Sequence, residues 1–320
     1  RSVPLMMNVP LSVISGKSPR KTCCSLISPV CLFMNRAVTN SGVFNWQGGY
    51  LRSGDNGTLL NLADGIVNDT ASSHLDNPFG GTFSFTNNGV FNKSAAGITS
   101  IDVPFVNNNG AIFVSAGTLR FASSFQQSAG TVAVANDAIV QFDQGLNFDA
   151  GILGGTGTIN GDVANSGLLS PGQSAGTLTI TGNLTLLGAS ALLVELGGTT
   201  PGTGHDFLSV GGNAALGGML NLKFVGGFES TVNAGHTFTV LTSVGGFGTT
   251  AFNNVANGQI LFTSYGFGSF QVNYGAASAF PALTNSVVLS NFVAVPEPST
   301  WALLGIGAVM VLLNLRRRKL

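Results

Sequence analysis

The chain has 320 residues, 8% of them charged and 44% hydrophobic, with 13 basic and 13 acidic side chains balancing to a formal net charge of zero. An ordinary globular domain carries about 25% charged residues. That shortage, with 45 glycines in no triplet period, excludes a typical cytosolic enzyme, collagen and a disordered chain, and leaves enough apolar content for a sizeable core.

Charge and cysteine are segregated along the chain. Residues 1–36 hold five bases (Arg1, Lys17, Arg20, Lys21, Arg36) and no acid. Arg316, Arg317, Arg318 and Lys319 close the chain, and all 13 acids lie between with only Arg52, Lys93, Arg120 and Lys223 for company, a net of −9. A body of that sign cannot neutralise phosphates, so nucleic acid is excluded as a partner. Cys23, Cys24 and Cys31 are the only cysteines, so no disulfide framework holds the body. Lys17, Arg20 and Lys21 followed by apolar Cys23–Met34 have the order of a secretory leader, interrupted by Pro29. Residues 1–36 are therefore read as a leader-like or non-native segment.

From residue 37 a turn pattern recurs: one or more polar or small residues, glycine, then apolar residues. It appears as NSGVF (Asn40–Phe44), NNGVF (Asn87–Phe91), NNGAIF (Asn108–Phe113), SAGTV (Ser128–Val132), DAGIL (Asp149–Leu153) and NSGLL (Asn165–Leu169). The glycines at 89, 110, 130 and 151 are 20 or 21 residues apart, a length suited to one rung of a parallel β-solenoid. Glycine after asparagine is expected to supply a positive φ at each corner. Between corners the apolar residues alternate. In Gly176–Gly198 the even positions Leu178, Ile180, Leu184, Leu186, Leu192, Val194 and Leu196 are apolar, whereas Thr177, Thr179, Thr181 and Thr185 are odd. Period two predicts strands with the even set inward. The same holds for Leu208 and Val210, for Leu220, Leu222 and Phe224, for Phe238 and Val240, and for Phe270, Val272 and Tyr274. The 23 phenylalanines are assigned to ladder packing.

The stretch GGTGTINGDVANSGLLSPGQSAGTLTITGNLTL (Gly154–Leu186) resembles the autotransporter-associated β-strand repeats of large bacterial surface proteins, over about residues 37–200. The resemblance implies a right-handed parallel β-helix. The segment Glu195–Phe224 is similar to the companion module that follows those repeats. The expected organisation is all-β: solenoid repeats over 37–198, a C-terminal β module over 199–290 and a tail over 291–320.

Parallel β-helices also serve as polysaccharide lyases and hydrolases, which makes carboxylates worth testing. Asp137, Asp143 and Asp149 are spaced by six and could meet on one rung, where a retaining glycosidase needs two carboxyl groups about 5 Å apart. Acids beside turns are more simply explained by corner hydrogen bonding and solubility. His74, His205 and His236 lie far apart without partners at metal-ligand spacing and are read as surface or turn residues. GGTGTINGD (Gly154–Asp162) has Ile159 where a calcium nonapeptide needs aspartate, and no GK[ST] follows it to make a phosphate loop. No cofactor or metal is expected. Thr156, Thr158, Thr177, Thr179 and Thr181 form a threonine array that an ice-binding-like surface would use, although threonine favours the solvent face of any strand.

The tail, VPEPSTWALLGIGAVMVLLNLRRRKL (Val295–Leu320), joins a proline-flanked glutamate to an apolar run and a terminal cation cluster. Trp301–Leu315 would be about 22 Å long as a helix. Counted from Pro298 the span is about 27 Å, enough to cross a bilayer core of about 30 Å if the terminal cations snorkel. A single transmembrane helix over about 299–315 is expected, oriented by Arg316, Arg317, Arg318 and Lys319 on the cytoplasmic side. The order of these parts is similar to the PEP-CTERM sorting signal, with Pro296, Glu297 and Pro298 matching directly. That resemblance implies recognition by an exosortase-type membrane protease, transient or permanent residence in the inner membrane, and delivery to the cell surface or extracellular matrix, where exopolysaccharide is a candidate partner. The expectation is thus an exported, non-enzymatic surface or matrix protein of structural or adhesive role. A polysaccharide-active β-helix enzyme and an ice-binding-like protein are the alternatives.

Overall fold

The computed structural model describes residues 30–32, 36–172, 174–295 and 304–311. Strands of three or four residues alternate with sharp corners, and each turn of the coil gives one strand to each of three sheets. The long sheet has thirteen strands, and the second and third have nine each. Neighbours are parallel and one turn apart: Phe85 pairs with Phe105 and Phe105 with Phe125, a repeat of 20 residues. The protein is a three-sided parallel β-solenoid. A strand this short cannot offset its own chain entropy, so the turns are stable only as a stack.

The predicted register holds. Leu178, Ile180, Leu184, Leu186, Leu192, Val194 and Leu196 are all buried, and the odd-numbered threonines face outward. The inward residues of the later strands, from Leu208 to Tyr274, are buried as well. Phenylalanines stack along the axis, with Phe105 on Phe125 and Phe121 on Phe142 at centroid separations of 5.7 and 5.4 Å.

The six turn glycines occupy one corner, between the second and third sheets, and Gly65 joins them from a differently worded turn. Their role differs from the expected one. Among the six, only Gly130 and Gly151 have positive φ. The general reason for glycine is close approach. The strand following each corner donates its first N–H to the glycine carbonyl one turn earlier, as in Val90 to Gly65 at 2.9 Å and Thr131 to Gly110 at 3.0 Å. A Cβ on Gly89 would lie 2.2 Å from the Gly65 oxygen.

Beneath that corner runs a feature the alternation did not foretell. The last residue of each second-sheet strand points inward, and over five successive turns it is Asn40, Asn61, Asn87, Asn107 and Gln127, all buried. Each asparagine donates Nδ2 to the next side-chain oxygen at 2.8 Å. Each also donates to a backbone carbonyl at the corner, such as Gly110 O from Asn107 at 3.0 Å. Phe148 interrupts the column, Asn165 resumes it alone, and Leu186 ends it.

The coil runs on past residue 198 without changing architecture, through Phe207–Val210 and Met219–Phe224, to Phe238–Ser243. There the long sheet turns antiparallel: Ser286–Ala294 pairs with Phe238–Ser243 on one side and with Gly268–Asn273 on the other, and Ile260–Phe262 forms the outer edge. The free edge of Met219–Phe224 is capped by the loop after it. Asn254 exchanges hydrogen bonds with the Leu220 backbone at 3.0 and 2.9 Å, and Ser264 N donates to Leu222 O at 2.7 Å. Such covering removes an open template for strand addition. At the other end, Val30–Leu32 pairs with Tyr50–Arg52, so part of the leader-like segment belongs to the sheet.

Candidate functional site

The chemistry-bearing residues of the body are spread apart by the coil. Asp137, Asp143 and Asp149 lie at three successive corners, one before the strand Ile139–Phe142, one after it and one after Leu146–Phe148. The expected meeting on one rung does not occur, because six residues is the length of one side plus its corner. Asp143 instead pairs with Arg120 one turn earlier, with Nη2 to Oδ2 at 2.5 Å, which holds its carboxyl below the usual range. Arg52 with Asp76 and His74 with Asp102 make similar inter-turn pairs, at 3.3 and 3.2 Å. Exposed pairs of this kind contribute little to stability.

His74 and His236 are at the surface, but His205 is fully buried, contrary to the sequence reading. Its Nδ1 is 3.2 Å from Gly198 O and its Nε2 3.0 Å from Thr239 O, and desolvation lowers its pKa. The adjoining Asp206 is also buried. It accepts from Glu195 N at 2.9 Å, and burial pushes its pKa up to about 7. Asp69 and Lys93 face each other from adjacent turns inside the coil. Burial pushes Asp69 up and Lys93 down. No sequence signal separated these buried ions from surface ones except their inward parity: Asp69 stands two residues after inward Val67, and Lys93 two after inward Phe91.

Thr158 pairs with Thr179 across adjacent turns, but Thr177 pairs with Phe207 and Thr156 sits at a corner, so the expected array reduces to one rank. A shallow hollow of about 350 Å³ on the second sheet is lined by Gln144, Asn147, Asp162, Asn183 and Thr185 where Ala164 leaves space between its neighbours. Among the described residues no three His, Cys, Asp or Glu side chains gather to hold a metal.

The remaining candidate is the C-terminal joint. Strand Ser286–Ala294 is the central member of the antiparallel cap, and Val295 N still donates to Phe267 O at 3.0 Å. Pro296, Glu297 and Pro298, and the cluster Arg316, Arg317, Arg318 and Lys319, lie outside the described residues. Of the expected helix over 299–315, residues 304–311 are described; they are helical and exposed throughout. Among the described residues no helix is long and apolar enough to cross a membrane.

A family model, the PEP-CTERM protein-sorting motif, matches residues 294–319. The chain carries a PEP-CTERM sorting signal. Such a signal marks an exported protein directed to the cell surface. No curated protein and no solved structure matches the chain; the stacked parallel strands fit the expected solenoid, and no autotransporter repeat family is shown. The signal starts at the last residue of the last strand, so no further folded element stands between the antiparallel cap and the signal.

Proposed function

We propose that the protein is a non-enzymatic structural or adhesive component of the cell surface or extracellular matrix, delivered by its PEP-CTERM tail. The observation that carries this reading is the match over residues 294–319 immediately after the capped end of the solenoid. The tail enters the inner membrane as a helix over about 299–315, with Arg316–Lys319 held on the cytoplasmic side. An exosortase-type membrane protease cuts near Pro298, where two prolines disfavour both strand pairing and helix continuation. The body presents long polar faces with ion pairs and amide side chains, which suits contact with exopolysaccharide over many turns. A non-enzymatic role is supported by the separation of Asp137, Asp143 and Asp149 onto three corners and by the internal pairing of Arg120 with Asp143.

Intact mass measurement on surface-extracted protein tests the reading. The expected mature chain lacks Trp301–Leu320. A mass that still includes the terminal cations would make the tail a permanent anchor and overturn processing.

A further inference from the structure

The antiparallel cap has two unlike faces. Its inner face packs Phe270, Val272, Leu289 and Phe292 into the core. On its outer face exposed Phe262 and Val293 flank buried Ser269 across three strands. Ile260 precedes Phe262 by two positions, Tyr265 and Phe267 form the turn between the outer strands, and Val295 continues from Val293. Phe262, Tyr265 and Val293 are 63%, 69% and 60% exposed. Elsewhere on the solenoid, exposed Ile98 and Phe113 stand beside Thr118 and Asn92 of adjacent turns, and Ile152 lies between Thr131 and half-buried Leu168; single exposed apolar residues need no explanation. A cluster does.

Two further observations identify what meets this face. From Ser230 to Pro296 there is no Asp, Glu, Lys or Arg, although the body as a whole carries a net of −9. The cap lies in the longest uncharged stretch of the sequence, which an anionic surface would not repel. The face also lies at the root of the sorting signal: eight residues, 296–303, separate Val295 from Leu304, a reach of at most about 32 Å. Whatever holds the tail holds this face nearby. Aromatic residues with a polar tip, such as Tyr265, favour the headgroup level of a bilayer.

We propose that the outer face of the last three strands, centred on Phe262, Tyr265 and Val293, is a membrane-contact surface that rests on the phospholipid bilayer while the tail is inserted. This rests on the reading that the tail enters the membrane. The contact fixes the solenoid's end against the lipid and presents Pro296–Pro298 at the level of the headgroups, where a membrane-embedded protease works.

The test uses the full chain with Cys23, Cys24 and Cys31 changed to Ser, reconstituted into vesicles of phosphatidylethanolamine and phosphatidylglycerol. An environment-sensitive fluorophore is attached at Phe262→Cys or, as a control of similar exposure on a distant turn, at Ile98→Cys. Tail insertion is measured separately by resistance to alkaline extraction. The expected result is a blue-shifted label at 262 that doxyl-labelled lipid quenches several-fold more than the label at 98. If the tail resists extraction and the 262 label stays in water, the contact surface is wrong and the sorting reading survives. A tail that alkali removes overturns both. A blue shift at 262 that depends on protein concentration and not on doxyl lipid would assign the face to a second copy of the chain and overturn the membrane contact.

Discussion

Asn107→Leu removes the middle of the buried amide column while keeping a side chain of similar length. Asn87 keeps one acceptor, Gly89 O at 3.2 Å, but Gln127 Oε1 loses the donor that reached it at 2.8 Å, and Gly110 O loses one of its two donors. A stranded buried acceptor costs about 1–3 kcal/mol, and the added apolar burial of leucine offsets roughly 1 kcal/mol of that. The net expectation, with the weaker bonds included, is a loss of about 2 kcal/mol. Asn165→Leu is the control. Its column neighbours are Phe148 and Leu186, so no amide partner is stranded, and the change removes only bonds to Gly167 at 2.9 and 3.3 Å. It should cost about 1 kcal/mol or less. Urea unfolding of the full chain, followed by far-ultraviolet circular dichroism, measures both. Adding Asn87→Leu to Asn107→Leu should cost less than Asn87→Leu alone, because the bond between them is already gone. Equal costs at 107 and 165, or simple additivity at 87 and 107, would show that the column is a set of independent corner bonds and refute the cooperative account.

Gly130→Ala should destabilise by about 1–2 kcal/mol from its left-handed backbone alone, and by more because the new Cβ meets Gly110 O at 2.1 Å; Gly48→Ala, with open space around it, should be nearly neutral in the same thermal melt. Ile180→Asp puts a carboxylate into a dry column and should cost several kcal/mol, whereas Thr179→Asp on the outer face should leave the melting midpoint almost unchanged; equal shifts would contradict the register. Asp206 has its folded pKa raised from 3.8 to about 7, so its contribution is complete below the unfolded value and is lost as pH rises from about 4 through 7, up to roughly 4 kcal/mol. The stability of Asp206→Asn minus that of the parent should therefore grow from pH 4 to pH 7 and then level, with the oppositely directed effect of His205 cancelling in the difference; a flat difference would sink this account.

The strands were legible because alternation survives whatever the corners do: every even-numbered apolar residue from Leu178 to Leu196 other than glycine is buried. The corners were legible in position and misread in cause. Glycine after a polar residue signals a turn, but whether it is needed for φ or for contact depends on the turn stacked above, which is about twenty residues away and invisible locally. The amide column was hidden for the same reason, since an asparagine before a turn glycine looks like corner chemistry until it is placed over Asn61 and under Asn107. A partial signal was nevertheless present: Asn40, Asn87 and Asn165 each stand two residues before a corner glycine, whereas Asn107 and Gln127 stand three before theirs and Asn61 four. Buried Asp69, Lys93, His205 and Asp206 escaped because hydrophobic parity assigns ionisable residues to water. The tail could be read because its three parts are contiguous in sequence and need no tertiary placement.

Strand Ser286–Ala294 leads straight into the tail and is hydrogen-bonded along both edges, to Phe238–Ser243 and to Gly268–Asn273. Tension applied to the chain beyond Ala294 enters the solenoid along the axis of this strand. Both rows of bonds are then loaded together in shear, so the strand cannot peel away one bond at a time. Pulling instead on a strand at the other end would unwind the coil turn by turn. A pull on the last strand therefore loads two neighbouring strands at once, and a pull at the other end does not.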